Sequence, residues 1–467
     1  MEFGGKLKEI SNAIKRLQDS AEISLFISSD LEQGLGQQIE GGTLFPTSMA
    51  IAEAVDRKNK SDIKLLEKSI SIIEQEARAV GINIIFSPVL DVNTNPENPI
   101  ICTRAFSDNP REVIWFGKKF IRGFQEQGLI SCAKHFPGHG DTVEDSHREL
   151  PVVKADIKRL NRVELYPFQR AVRLGVRMIM VGHLRVPALD ARYPSSLSQK
   201  TIQGLLREKM RFKGLVITDA MNMNAVSRGN QGSEDRACLM ALQAGADILL
   251  HPESPEKVID YLFSKWDKVE HVIQKSFRNV VNVKKRLNKI SRSQLRMNQI
   301  GTSSHWEIAK ELTQKSINLA SLDRDRGRKK LCSASSDRKL TILIIDDDNN
   351  LSGKPFINTI KNHYKEVKTI YIDNRYKDNI KKILDSVSGT TLIAVVFSKV
   401  SAWKGRSGLS RKLQSVLEKA VKASEYSIVA GFCCPHAFAH INADAVIEAY
   451  SDSGMAQESV GKILCAP

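Results

Sequence analysis

From Glu22 to about Pro252, short apolar runs alternate with longer amphipathic ones. The apolar runs "EISLFISSD", "INIIFSPVLD", "LISCAKHF", "VRMIMVGH", "GLVITDAM" and "ADILLHPE" read as strands. Between them lie helix patterns, among them "NKSDIKLLEKSISIIEQEARAV", "PREVIWFGKKFIRGFQEQ" and "DIKRLNRVELYPFQRAV". Strand–helix alternation with buried, β-branched strands predicts a parallel sheet. Kept up over more than about two hundred residues, it leaves a (β/α)8 barrel or a doubly wound sheet. The strand ends decide between them. Asp30, Asp91, Lys134 with His135, His183, Asp219 and His251 each close a different predicted strand. Barrel enzymes gather polar groups from many strand ends, whereas a doubly wound sheet concentrates them at one crevice. A (β/α)8-type (TIM) barrel is therefore expected over residues 1–291. The pattern yields six strands, and a helix over about Lys6 to Ser20 precedes the first with only "MEFGG" before it. The first two strands of an eight-stranded barrel thus have no counterpart.

Residues 292–339 form a basic, serine-containing connection in which "HWEIAKELTQKSINLA" reads as helix. Over residues 340–467 the alternation resumes with "LTILIIDDD", "VKTIYID", "TTLIAVVFS", "YSIVAGFCC" and "DAVIEAYSD". Strands of this kind with helices between them predict a smaller doubly wound α/β domain. Its "IIDDD" is read as an acidic loop after a strand rather than as a metal pocket.

Composition narrows the function. With 467 residues, 42% hydrophobic and 26% charged, the chain has material for two or three large cores. No apolar run approaches the roughly 20 residues of a membrane-spanning helix. The net charge is +16, but the lysines and arginines interleave with glutamates along helices. They read as solvated helix faces, and no recognition motif argues for nucleic acid. The seven cysteines lack metal-ligand spacing and read as small core hydrophobes. Their odd number without a paired framework, and an opening helix without a signal peptide's apolar centre, give a cytoplasmic setting as the expectation.

The densest chemistry lies in "AKHFPGHGDTVEDSHRELP", Ala133 to Pro151. Lys134 and His135 sit at a strand end, where they can face a pocket. Pro137, Gly138 and Gly140 then predict a mobile excursion. Asp145 and His147 follow as Asp-Ser-His. Residues two apart in extended chain project to one side, so the carboxylate can hold one imidazole nitrogen and leave the other for proton transfer. His135, His139, Asp141 and His147 also invite a zinc reading. The Pro137-Gly138 pair argues against the helix that the His135–His139 spacing would need. No metal is expected.

"KHFPGHGDTVEDSH" resembles the loop of family 3 glycoside hydrolases, in the bacterial β-N-acetylglucosaminidase branch of two-domain type. "DLEQGLG", "PVLDVNTNPENPIICTRAFSDNP", "ELYPFQRAV", "VGHLRVPALD" and "GLVITDAMNMNAV" agree in order, over roughly residues 20 to 290. The resemblance implies that Asp219 is the nucleophile and His147 the general acid/base, with Asp145 as its partner. It implies that Asp30, Arg104, Lys134 and His135 bind the hydroxyls of the terminal sugar. His183 and Asp91 are read separately, as structural or supporting positions. It implies a retaining exo-β-N-acetylglucosaminidase without cofactor, acting on an N-acetylglucosamine-containing oligosaccharide or muropeptide. A β-glucosidase of the same family and a non-catalytic sugar-binding protein are the alternatives. One departure stands in "DLEQGLGQQ", where Gln38 occupies a position that often holds arginine in this variant of the motif.

Overall fold

The computed structural model describes residues 6–144, 150–223, 226, 233–287, 297–320, 339–350, 352–376, 379–400 and 404–465. The chain divides into two compact units, Met1–Phe45 with Lys64–Ala309, and Pro46–Ile63 with Lys310–Pro467.

In the first unit the strands are β1 (Ser28–Ser29), β2 (Ile84–Ile85), β3 (Ile130–Phe136), β4 (Met178–Val181), β5 (Leu215–Ala220) and β6 (Ile248–Leu250). All pair in parallel and in chain order, each inside one of the apolar runs. Among the described residues the ladder does not return from β6 to β1, so the barrel strands form an open, curled sheet.

Why the strands are apolar on both sides is visible in the packing. Ile130, Cys132, Met178, Met180, Leu215 and Ile217 cluster inside the curl with Ile84 and Phe86. Their neighbours Ala133, Ile179, Val181 and Val216 face the opposite way, into a second cluster with the surrounding helices, which Phe136 joins past a register shift in β3. Successive strand side chains alternate faces, and here both faces are covered. The helix Trp266–Leu287 sends Val280 and Val283 against the inner cluster, and its Asn279 Nδ2 donates to Asp247 beside β6 (2.9 Å).

Several connecting helices start on caps that the sequence offers. Asn109 caps Pro110–Glu126, accepting from the Arg111 amide (2.9 Å). The single helix expected over "DIKRLNRVELYPFQRAV" is instead two, Ile157–Arg162 and Leu165–Leu174. Asp156 caps the first, and Gly175, left-handed, ends the second.

The second unit holds β7 (Asn318–Leu319), β8 (Leu340–Asp346), β9 (Val367–Asp373), β10 (Thr391–Ser398), β11 (Tyr426–Cys433) and β12 (Ala445–Glu448). Their order is β7-β12-β11-β10-β8-β9, parallel throughout except for β7 against β12. Ile342 and Ile344 pack into one helix layer, Leu343 and Ile345 into the other, which makes the sheet doubly wound. β7 lies within the stretch expected to be helical; that helix is Ser303–Ser316, and the chain then extends to pair with β12.

The acidic run after β8 is neutralised from within. Asp347 meets Arg406 (2.8 Å) and Lys404 (3.1 Å), and Asp348 meets Lys404 (2.7 Å). Asp346 accepts from the amides of Asp348, Asn350 and Ser352 and from the Tyr371 hydroxyl. A lysine ammonium stands where a cation would have to bind.

Candidate active site

The polar strand ends of the first unit converge on one network. Lys134, near the end of β3, points its ammonium at Asp30, just past β1, and at Glu32 Oε1 (2.7 Å). Arg104, in the turn Cys102–Arg104, grips the same Glu32 in bidentate fashion, Nε to Oε2 at 3.0 Å and Nη2 to Oε1 at 2.8 Å. Planar guanidinium and planar carboxylate match in this fork geometry. Glu32 and Lys134 are buried, whereas the Asp30 side chain remains 47% exposed. Burial alone would push the Glu32 carboxyl up, but Arg104 and Lys134 hold it well below the usual range. Burial would likewise depress Lys134, and Asp30 and Glu32 keep it above its ordinary value.

His135 stands beside this network on a second buried anion. Its Nδ1 lies 2.7 Å from Asp91 Oδ2, and since a carboxylate only accepts, Nδ1 carries the proton. Its Nε2 faces Arg104 Nη2 at 3.5 Å. Asp91 also accepts from the His139 amide (2.7 Å). Although burial raises the Asp91 carboxyl, His135 and His139 bring it below the ordinary value.

Asp219, on β5, is half-buried and accepts from the Ala220 amide (2.9 Å). Burial pushes its carboxyl up, yet His135, His183, that amide and Lys134 together hold it below the ordinary range. It is therefore a carboxylate at neutral pH, within the electrostatic reach of the Lys134–His135 pair. His183, just after β4, places Nε2 3.0 Å from the Ala220 carbonyl, so Nε2 carries a proton. Ser196 Oγ lies 2.7 Å from its Nδ1. His183 thus steadies the backbone next to Asp219.

The described start of the loop after β3, from Pro137 to Thr142, lies against neighbouring elements. Pro137 to Gly140 and Thr142 are buried. Asn98 donates to the His139 carbonyl (2.8 Å), and Arg159 clamps Asp141 (2.7 Å). Its glycines serve close packing. A Cβ on Gly140 would sit 1.8 Å from the Val92 carbonyl oxygen. On Gly138, at φ +130°, it would meet Glu164 Cβ at 2.8 Å. Gly140→Ala is accordingly expected to destabilise the first unit by about 2 kcal/mol or more, as overpacking does. Urea denaturation would check this, and an unchanged midpoint would contradict it. Asp145 and His147 lie outside the described residues.

The structure therefore brings Asp30, Arg104, Lys134 and His135 into one network, with Asp219 beside it. Among the described residues no three His, Cys, Asp or Glu side chains converge to hold a metal. Glu32 is the residue that sequence reading missed. Its signal was a second acid two positions beyond Asp30, but the partners that give it meaning are remote in the chain.

A curled parallel sheet that carries an ionised carboxylate and a buried cationic network at its strand ends has the architecture of a glycoside hydrolase barrel. The chain belongs to that class: the glycosyl hydrolase family 3 N-terminal domain matches residues 4–287. Among curated relatives, β-hexosaminidase A of Pseudoalteromonas piscicida is 32% identical over 337 residues, 66% of this chain and 56% of that protein. The β-hexosaminidase of Thioalkalivibrio sulfidiphilus is 33% identical over 270 residues, 57% of this chain and 75% of that one. The chain thus spans little more than half the length of the first of these relatives. Among solved structures, a family 3 β-N-acetylglucosaminidase from Paenibacillus sp. str. FPU-7 matches with a TM-score of 0.82 at 27% identity, over 98% of this chain and 88% of that one. A β-glucoside phosphorylase, 22% identical, shares the fold with a TM-score of 0.85 over 99% and 86% of the two chains.

Proposed function

We propose that this chain is a retaining exo-β-N-acetylglucosaminidase that releases terminal β-linked N-acetylglucosamine from peptidoglycan fragments or chitooligosaccharides. The observation that carries the reading is the ionised Asp219 at the end of β5, beside the Lys134–His135 pair. The relatives named β-hexosaminidase support the choice of sugar.

In this reading Asp30, Arg104, Lys134 and His135 hold the hydroxyls of the terminal sugar. An Asp219 oxygen attacks the anomeric carbon and forms an ester as the bond to the leaving oxygen breaks. His147 supplies the proton that this oxygen takes up. The imidazole, now neutral, removes a proton from water as the water attacks the same carbon, and Asp219 departs as carboxylate. Two inversions leave the β configuration unchanged. Asp145 fixes the His147 tautomer and stabilises its charged form. With an imidazole in place of the second carboxylate, the usual carboxylate-separation rule does not apply.

The test is direct. The protein is expected to hydrolyse an aryl N-acetyl-β-glucosaminide much faster than the matching β-glucoside, and Asp219→Ala to abolish both activities. A preference for the glucoside would favour a β-glucosidase. No turnover of either substrate by the wild type, with the sugar still bound, would favour a sugar-binding protein without catalysis, and equal measurable rates for wild type and Asp219→Ala would remove Asp219 from the nucleophile role.

A further inference from the structure

We infer that Glu32 is a positioning residue of the sugar-binding subsite, a single buried anion on which both of its cations are mounted. The inference rests on the proposed function only in taking Arg104 and Lys134 as groups that face the sugar.

The geometry is specific. One carboxylate spans two bases from different parts of the barrel: Arg104, 72 residues away in sequence, through two parallel bonds, and Lys134 through Oε1 at 2.7 Å. Oε1 is thus shared between Arg104 Nη2 and Lys134 Nζ. The Glu32 side chain is only 6% exposed, and that of Lys134 2%. Two cations this close repel each other, and in a poorly solvated site that repulsion is large unless an anion lies between them. Asp30 cannot serve both. It pairs with Lys134, its side chain is about half exposed, and no bond from it to Arg104 is present among the described residues.

The arrangement also divides labour between the two acids. Glu32, with its partners inside the protein, fixes where the guanidinium and ammonium stand. Asp30 keeps an exposed surface from which to accept a hydroxyl. Preorganised donors bind a ligand without the cost of ordering it themselves, so Glu32 would act on affinity through residues it touches, without touching the sugar.

Glu32→Gln keeps the shape and removes the charge. Its expected effect on an aryl N-acetyl-β-glucosaminide is a rise in KM of about tenfold or more with kcat within about threefold, the pattern of lost uniform binding. Glu32→Asp retains the charge but falls one methylene short. It reaches one cation and not both, so KM is expected to lie between wild type and Glu32→Gln. Calorimetric affinity for N-acetylglucosamine should weaken by the same factor, and this readout does not depend on hydrolysis. A wild-type protein that binds the sugar without cleaving it overturns the proposed activity, and the wild-type to Glu32→Gln shift in affinity still decides the role of Glu32. KM and affinity within about threefold of wild type in Glu32→Gln would overturn the inference. So would variants that only lower the melting temperature, without the graded return in Glu32→Asp. A wild-type protein that neither binds nor cleaves overturns both readings.

Discussion

Replacing Asp219 by Asn is expected to lower turnover of an aryl N-acetyl-β-glucosaminide by about 10⁴-fold or more, on the scale seen when a nucleophile is deleted. The substitution is nearly isosteric and keeps an oxygen to accept from the Ala220 amide, so the fold should survive. The charge that the surrounding histidines and Lys134 stabilise is what it removes. A better leaving group cannot restore a missing nucleophile, so highly activated aryl glycosides should suffer as much as poor ones. His147→Ala is expected to behave differently. It should slow substrates with poor leaving groups most and activated aryl glycosides least, because their departure needs little protonation. Steady-state kinetics across a series of leaving groups checks both. Equal losses on all substrates in His147→Ala would remove that residue from the acid/base role.

Acid should weaken the first unit through His139. This imidazole is 2% exposed, its Nδ1 lies 2.8 Å from Thr142 Oγ1, and its Nε2 has no hydrogen-bond partner among the described residues. Burial is the main cause that brings it down to about 4, against a partial upward pull from Asp91. In the unfolded chain it titrates near 6.5. Below about 6.5 the unfolded state therefore takes up a proton that the folded state refuses. Stability present above that pH is lost as pH falls toward 4, by up to about 3 kcal/mol. Glu32, Asp91 and Asp219 are also held below their ordinary values, but their stabilisation is lost lower, as pH falls from about 4 through their folded-state values. His139→Asn keeps a donor for Thr142 and does not titrate. It is expected to flatten the decline between pH 6.5 and 4 that the wild type shows in urea unfolding. An unchanged slope in the variant would contradict the assignment.

Much of the fold was legible because the barrel strands announce themselves twice, as apolar runs and by the polar residue that ends each one. β8, β9, β10, β11 and β12 were legible as apolar runs alternating with helical patterns. β7 was not, since Asn318–Leu319 is too short to carry a periodicity and follows an amphipathic helix without a break. The break between Arg162 and Leu165 escaped notice because both flanking segments keep a helical pattern.

At the site, local spacing carried Lys134, His135 and Asp219 to their strand ends, but it could not supply partners. Glycine in a loop is ambiguous from sequence alone, since it serves motion and close approach equally. The carbonyl of Val92 and the side chain of Glu164 decide for close approach at Gly140 and Gly138. Asp91, read from sequence as a supporting position, lies beneath His135 and His139. Glu32 depends on contacts that only the folded chain makes.

The covalent step on Asp219 can be observed directly by one measurement. Incubation with a 5-fluoro N-acetyl-β-glucosaminyl fluoride, which slows both steps but retains a good leaving group for the first, should leave a glycosyl-enzyme long-lived enough to weigh. Intact mass spectrometry is expected to show one added fluoro-sugar per chain, and peptide mapping to place it on Asp219. Continued turnover without an adduct, or an adduct on another carboxylate such as Asp30, would contradict it.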